Sequence, residues 1–132
     1  MKVFLLETDN QLNLLLPLIE AFSKEAKLSL SQNLIQVANC LQGNNCLTSI
    51  CGTDSCFKSY SCGHFISDTS FMVTQYYSSN PMASYQSLEF LEEQAKTRGA
   101  NTIFTYVKHS PEGFKKYGYE VSHYLLTKRL EV

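Results

Sequence analysis

Apolar and polar residues follow two periods along this chain, one near two and one near 3.6. Residues 2–8 are a mostly apolar run rich in strand formers, and Asp9 or Asn10 can cap a helix directly after it. A first strand is expected there. Leu15, Leu18, Ile19, Phe22 and Ala26 then recur at helical spacing, with Glu20, Lys24, Glu25 and Lys27 left for the solvent side. Pro17 lies inside this first helix without an amide donor, so a late start or a bend is expected. Ser29 or Ser31 can cap a second helix with Leu34, Val37 and Leu41 on one face. Gly43 is placed to end it in a left-handed conformation.

From residue 46 to 77 the composition is strand-like, with turn candidates at Gly52-Thr53-Asp54 and Ser67-Asp68-Thr69. Three strands are expected, over 46–51, 56–66 and 70–77. The loop Ser78-Ser79-Asn80-Pro81 opens onto a third helix over 82–98, whose seam is Tyr85, Leu88, Leu91 and Ala95. Glu92 and Lys96 are spaced for an i,i+4 pair, and Gly99 closes the helix. Residues 102–107 are apolar on both faces, the pattern of a strand inside a sheet. Ser110-Pro111-Glu112 starts a short helix that Gly118 stops, and 119–130 form a last strand with Tyr119, Val121 and Leu125 on one side. The order is β-α-α-β-β-β-α-β-α-β, which predicts one α/β domain over 1–132 with a mixed sheet covered by helices.

Composition narrows the function classes. The 132 residues are 44% hydrophobic and 17% charged, the balance of a globular domain that buries roughly two thirds of its extended-chain surface. Eleven basic residues against twelve acidic ones give no global field for nucleic acid or an anionic membrane, so neither is expected as a partner. Glu7 and Asp9 interrupt the first apolar run before signal-peptide or membrane-span length, which predicts a cytoplasmic protein with reduced thiols.

The element order and several local strings resemble the GCN5-related N-acetyltransferases over nearly the whole chain. Residues 86–100, the strand 102–107 and the string Phe114-Lys115-Lys116-Tyr117-Gly118-Tyr119-Glu120 look like that family's cofactor helix, fifth strand and terminal "FYxKxGF" segment. Phe22 and Glu25 look like its "F..E" helix beside the acceptor pocket. The resemblance implies a mostly antiparallel sheet in which two adjacent parallel strands splay apart. It also implies acetyl-CoA as cofactor, its pantetheine arm held by the backbone of the fourth strand at Phe71, Met72, Val73 and Thr74. Backbone contacts of this kind do not demand particular side chains.

The family's pyrophosphate loop, "(Q/R)xxGx(G/A)", falls on Ser79, Asn80, Pro81, Met82, Ala83 and Ser84. Here Ser79 replaces the amide or basic residue, Met82 the first glycine and Ser84 the last small one, while Pro81 deletes an amide donor. A helix N-terminus with small polar residues remains, and Lys108 lies near a further family cofactor position. The family's tyrosine acid falls on Phe114, which has no proton to give; Tyr117 is the nearby candidate acid, and Glu25 or His64 candidate bases. Two readings result. One is acetyl transfer from acetyl-CoA to an amine on a small molecule or protein. The other is a binding or structural module that has lost turnover, and an uncovered sheet edge makes a homodimer expected in either.

The five cysteines, Cys40, Cys46, Cys51, Cys56 and Cys62, with His64, raise a zinc reading. Cys46, Cys51 and Cys56 have loose knuckle spacing, Cys62 and His64 add no second pair, and strand alternation separates faces. Buried apolar thiols with no metal are the expectation. His109 reads as a solvated loop residue and His123 as a packing residue, while Tyr76 and Tyr77 read equally as core and as pocket lining.

Overall fold

The computed structural model describes residues 1–43, 45–80, 83, 85–106, 112–122, 126 and 128. Its elements are β1 (Lys2–Leu5), α1 (Asp9–Ala26), α2 (Leu30–Asn39), β2 (Cys46–Gly52), β3 (Phe57–Phe65), β4 (Ser70–Ser78), α3 (Gln86–Thr97), β5 (Thr102–Thr105) and α4 (Glu112–Lys115). One five-stranded sheet runs β1-β2-β3-β4-β5, antiparallel throughout except for the parallel β4–β5 pair. This is the mixed α/β architecture the pattern predicts. Of the expected closing strand, residues 123–125, 127, 129 and 130 lie outside the described residues, and 119–122 are not part of this sheet.

Local chemistry sets the helix ends. Thr8, rather than Asp9 or Asn10, caps α1: its Oγ1 accepts the Gln11 amide at 3.2 Å and Gln11 Oε1 accepts the Thr8 amide at 3.2 Å. α1 runs through Pro17 without a late start, because Pro17 and the carbonyl-bearing Asn13 four residues earlier are exposed and water can replace the lost bond. Ser29 caps α2 by accepting the Gln32 amide at 3.3 Å. α2 ends at Cys40 in a right-handed conformation, so Gly43 does not take the expected left-handed role; Lys27 (φ 57°) does so for α1 and Gly99 (φ 110°) follows α3.

The two sheet faces carry separate cores. Leu15, Ile19, Val37, Ile50 and Tyr60 pack α1 and α2 on one face; Phe71, Val73, Leu88, Leu91 and Ala95 pack α3 on the other. Each large apolar side chain among them stabilises the fold by roughly 1.5–3 kcal/mol on leaving water. Small polar residues let α3 approach the sheet closely. Ser59 Oγ donates to the Ala83 carbonyl at 3.0 Å, and Ser49 Oγ donates to the carbonyl of Ser87.

Three further expectations are corrected. β5 is half-exposed rather than buried, because among the described residues β4 is its one strand neighbour. Glu92 does not pair with Lys96; its carboxylate receives two tyrosine hydroxyls. Cys40 and Cys46 are joined as a disulfide with Cα atoms 4.8 Å apart, because the turn after α2 brings its last residues back to the start of β2. Cys51 and Cys62 are buried free thiols as expected, whereas Cys56 is exposed. Among the described residues no helix is long and apolar enough to cross a membrane.

Candidate functional site

β4 is nine residues long and β5 only four. They pair from Ser70 opposite Thr102 to Val73 opposite Thr105, after which residues 74–78 continue along β3 with no β5 partner among the described residues. The strands part at that point for two visible reasons. Gly63 pairs with Val73 while Cys62 pairs with Gln75, so Thr74 is the extra residue of a β-bulge, which adds twist. Thr105 Oγ1 also donates to the Val73 carbonyl at 3.2 Å, so a side chain closes the ladder.

The bulge resets which way β4 faces. Phe71 and Val73 point into the α3 core, but Thr74 and Gln75 both reach Gln36 of α2. Tyr76 returns to the α3 side, 6.0 Å from the Phe114 ring, and Tyr77 packs on the α1 side. Gln75 is 1% exposed and its amide is well satisfied: Nε2 donates to Gln36 Oε1 at 2.7 Å and to the Asn33 carbonyl at 3.1 Å, and Oε1 accepts the Tyr60 hydroxyl at 2.8 Å. Burial pushes the Tyr60 hydroxyl far above its ordinary range, which keeps it a donor. This network fixes the bulge, and sequence reasoning missed it. Its one available signal was an uncharged amide, Gln75, in an otherwise apolar and aromatic strand end.

The loop after β4 is tied down internally. Ser79 donates its amide (2.8 Å) and hydroxyl (3.0 Å) to the Lys58 carbonyl, the Asn80 amide meets Ser78 Oγ at 3.3 Å, and the Ala83 amide meets the Asn80 carbonyl at 2.9 Å. Tyr85, the N-cap of α3, makes no side-chain cap bond at the positive dipole end of that helix. Pro81, Met82, Ser84, Lys108, His109 and His123 lie outside the described residues.

An aromatic wall stands behind this loop. Tyr85 stacks on Tyr117 with centroids 3.7 Å apart and planes 6° from parallel, and Lys116 Nζ lies 5.1 Å from the Tyr117 ring. Phe114 lies edge-on to both Tyr76 and Tyr119. Glu92 takes the Tyr119 hydroxyl on Oε2 at 2.6 Å and the Tyr85 hydroxyl on Oε1 at 3.2 Å. Burial raises the Glu92 carboxyl above its usual range, and burial together with Glu92 pushes the Tyr85 hydroxyl up to about 12.

The candidate site residues therefore converge only in part. Met72 and Val73 are still paired with Phe104 and Thr105, Thr74 is the first residue past the parting, Ser79, Asn80 and Ala83 come after it, and Tyr117 joins them through Tyr85. Glu25 is exposed on the last turn of α1, on the opposite face of the sheet from Tyr117. His64 pairs with Met72, in the closed part of the sheet, and its buried Nδ1 has no hydrogen-bond partner. Beyond Val73, β4 has no β5 partner among the described residues, and the N-terminus of α3 beside it suits an anion.

No protein-family model matches the sequence, and no curated protein matches it. Solved structures do. The aminoglycoside N-acetyltransferase AAC(6')-Iy in complex with CoA superposes with a TM-score of 0.76 at 9% identity, over 99% of this chain and 95% of that one. A predicted acetyltransferase with acetyl-CoA from Clostridium acetobutylicum gives 0.73 at 17% identity, over 97% and 96%. A ribosomal-protein-alanine N-acetyltransferase from Brucella melitensis biovar Abortus 2308 gives 0.67 at 13%, over 96% and 99%. At such identities the likeness is one of fold, and the chain has the fold of the GCN5-related N-acetyltransferases.

Proposed function

We propose that this chain binds acetyl-CoA and transfers its acetyl group to an amine. The observation that carries the reading is the parting of β4 and β5 after Val73 and Thr105. In this reading the backbone of β4 past Val73 takes the amides of the pantetheine arm and the N-terminus of α3, with Ser79, Asn80 and Ala83, takes the pyrophosphate, to which the sequence resemblance adds Met82, Ser84 and Lys108. Similar folds solved with CoA or acetyl-CoA support the choice of cofactor. Aminoglycoside and protein-alanine acetyltransferases among them support an amine acceptor, on a small molecule or a protein.

In this reading a neutral amine attacks the thioester carbonyl, the C–N bond forms, the C–S bond breaks and the thiolate takes a proton. The Tyr117 hydroxyl is the candidate acid, since the aligned Phe114 has none. Glu25 and His64 serve the reading less well as bases, because neither approaches Tyr117; water taking the amine proton fits better.

A second reading is favoured by Phe114 itself, which fills the space between Tyr76 and Tyr119 with an inert ring. A domain with that substitution that holds CoA without turnover is a binding module. Titration of acetyl-CoA against melting temperature separates the outcomes: at about a hundred times its dissociation constant the cofactor adds about 2.7 kcal/mol. A shift followed by CoA-thiol release with a panel of amines supports the transferase. A shift without release supports a CoA-holding module, and no shift at millimolar cofactor overturns the transferase and favours a structural module.

A further inference from the structure

Strand alternation sorts the cysteines in a way that their spacing conceals. Cys51 turns to the α3 side, where its Sγ lies 3.0 Å from Gln86 Oε1, and Cys56 is exposed in the turn before β3. Cys46 and Cys62 share the α2 face, Cys46 stands directly opposite His64 across the β2–β3 ladder, and His64 is two residues beyond Cys62 on the same strand. Cys40 arrives from the end of α2. The sulfurs of Cys40, Cys46 and Cys62 all lie within 4.8 Å of one another, and those of Cys40 and Cys62 are 3.9 Å apart. Two thiolates on one tetrahedral zinc, at about 2.3 Å each, sit about 3.8 Å apart.

One more observation points to a ligand at this place. Thr48 Oγ1 donates to Cys40 Sγ at 3.2 Å. A hydroxyl donor beside the sulfurs suits a set of metal-bound thiolates.

We propose that the reduced protein binds one zinc ion through Cys40, Cys46 and Cys62, with water in the fourth position, and so pins the end of α2 to β2 and β3. The disulfide between Cys40 and Cys46 is the competing state of the same site. A phosphine or thiol reductant supplies the two electrons that open it, with two protons from water or the thiol. Zinc then displaces one proton from each of the three thiols into solvent, and a water contributes a lone pair.

The test uses the full chain, reduced with a trialkylphosphine under exclusion of oxygen and titrated with Co(II). One equivalent of cobalt is expected to produce thiolate-to-metal charge-transfer absorption and the visible bands of a tetrahedral site, both bleached by one equivalent of Zn(II). Cys62→Ser weakens binding by about 100-fold or more, beyond the 10- to 100-fold typical of an outer-shell partner. Cys56→Ser leaves binding unchanged. Cys46→Ser, at a half-buried position whose loss the fold tolerates better, weakens cobalt binding and shifts the visible bands. Absence of thiolate absorption once all the thiols are reduced, or equal affinity in wild type and the Cys62 and Cys46 variants, overturns the proposal.

Discussion

Tyr119 donates its hydroxyl to Glu92 Oε2 at 2.6 Å, fastening the chain after α4 to the middle of α3. Tyr85 takes the other carboxylate oxygen, so one half-buried acid orients both tyrosines of the wall behind the loop. Burial raises the folded-state pKa of Glu92 above its ordinary value near 4.5, which makes its charged form a liability of the folded state. Its contribution is full below that value and is lost as pH rises through the raised folded one. Glu92→Gln, which accepts from Tyr119 without charge, is therefore expected to gain stability relative to wild type between pH 4.5 and pH 7. Urea denaturation of both proteins across that range reads the change in sign and size.

Gln75 and Tyr60 are coupled through a buried hydrogen bond. Gln75→Leu leaves the Tyr60 hydroxyl and the Asn33 carbonyl without this partner and is expected to cost about 3 kcal/mol, with Tyr60→Phe costing about 1–2 kcal/mol. The double variant should cost less than the sum, because each change removes the same bond. Equilibrium denaturation of the four proteins gives the coupling.

Gly63 sits beside the bulge with no room for a side chain: a Cβ there would meet the Met72 carbonyl and the Phe71 ring. Gly63→Ala is expected to destabilise by about 3 kcal/mol, the upper range for overpacking a core. Acetyl-CoA should stabilise this variant less than wild type, since the collision moves the strand that carries the opening. Melting temperatures with and without cofactor check both effects.

Tyr117→Phe keeps the ring stacked on Tyr85 and removes only the hydroxyl. If this residue gives the leaving thiolate its proton, thiol release falls by about 100-fold, the lower end of what acid catalysis supplies. Acetyl-CoA binding, read by the melting shift, stays unchanged. A variant with wild-type turnover assigns the proton to water.

Period and punctuation carried the architecture. Leu15, Leu18 and Ile19 on one helical face, Leu88, Leu91 and Ala95 on another, and Gly99 after α3 are local statements, because each depends on residues a few positions away. The same locality explains the errors at the ends: Thr8 displaced Asp9 as cap, and Pro17 was tolerated because its face is wet. Phe114 in the tyrosine position and Met82 in a glycine position were also plain in the string of residues.

What the string could not hold was pairing across the sheet. The bulge at Thr74 depends on which residue of β3 stands opposite, and it decides that Thr74 and Gln75 share a face and that β5 stops at Thr105. Cys40, Cys46 and Cys62 gather for a like reason: register, not spacing, sets who stands beside whom across a ladder. Glu92 looked like a surface partner for Lys96 until the chain after α4 folded over it and brought Tyr119. Helix faces emerge from a short window of sequence, whereas these sites are built from residues tens of positions apart, whose meeting only the packed sheet determines.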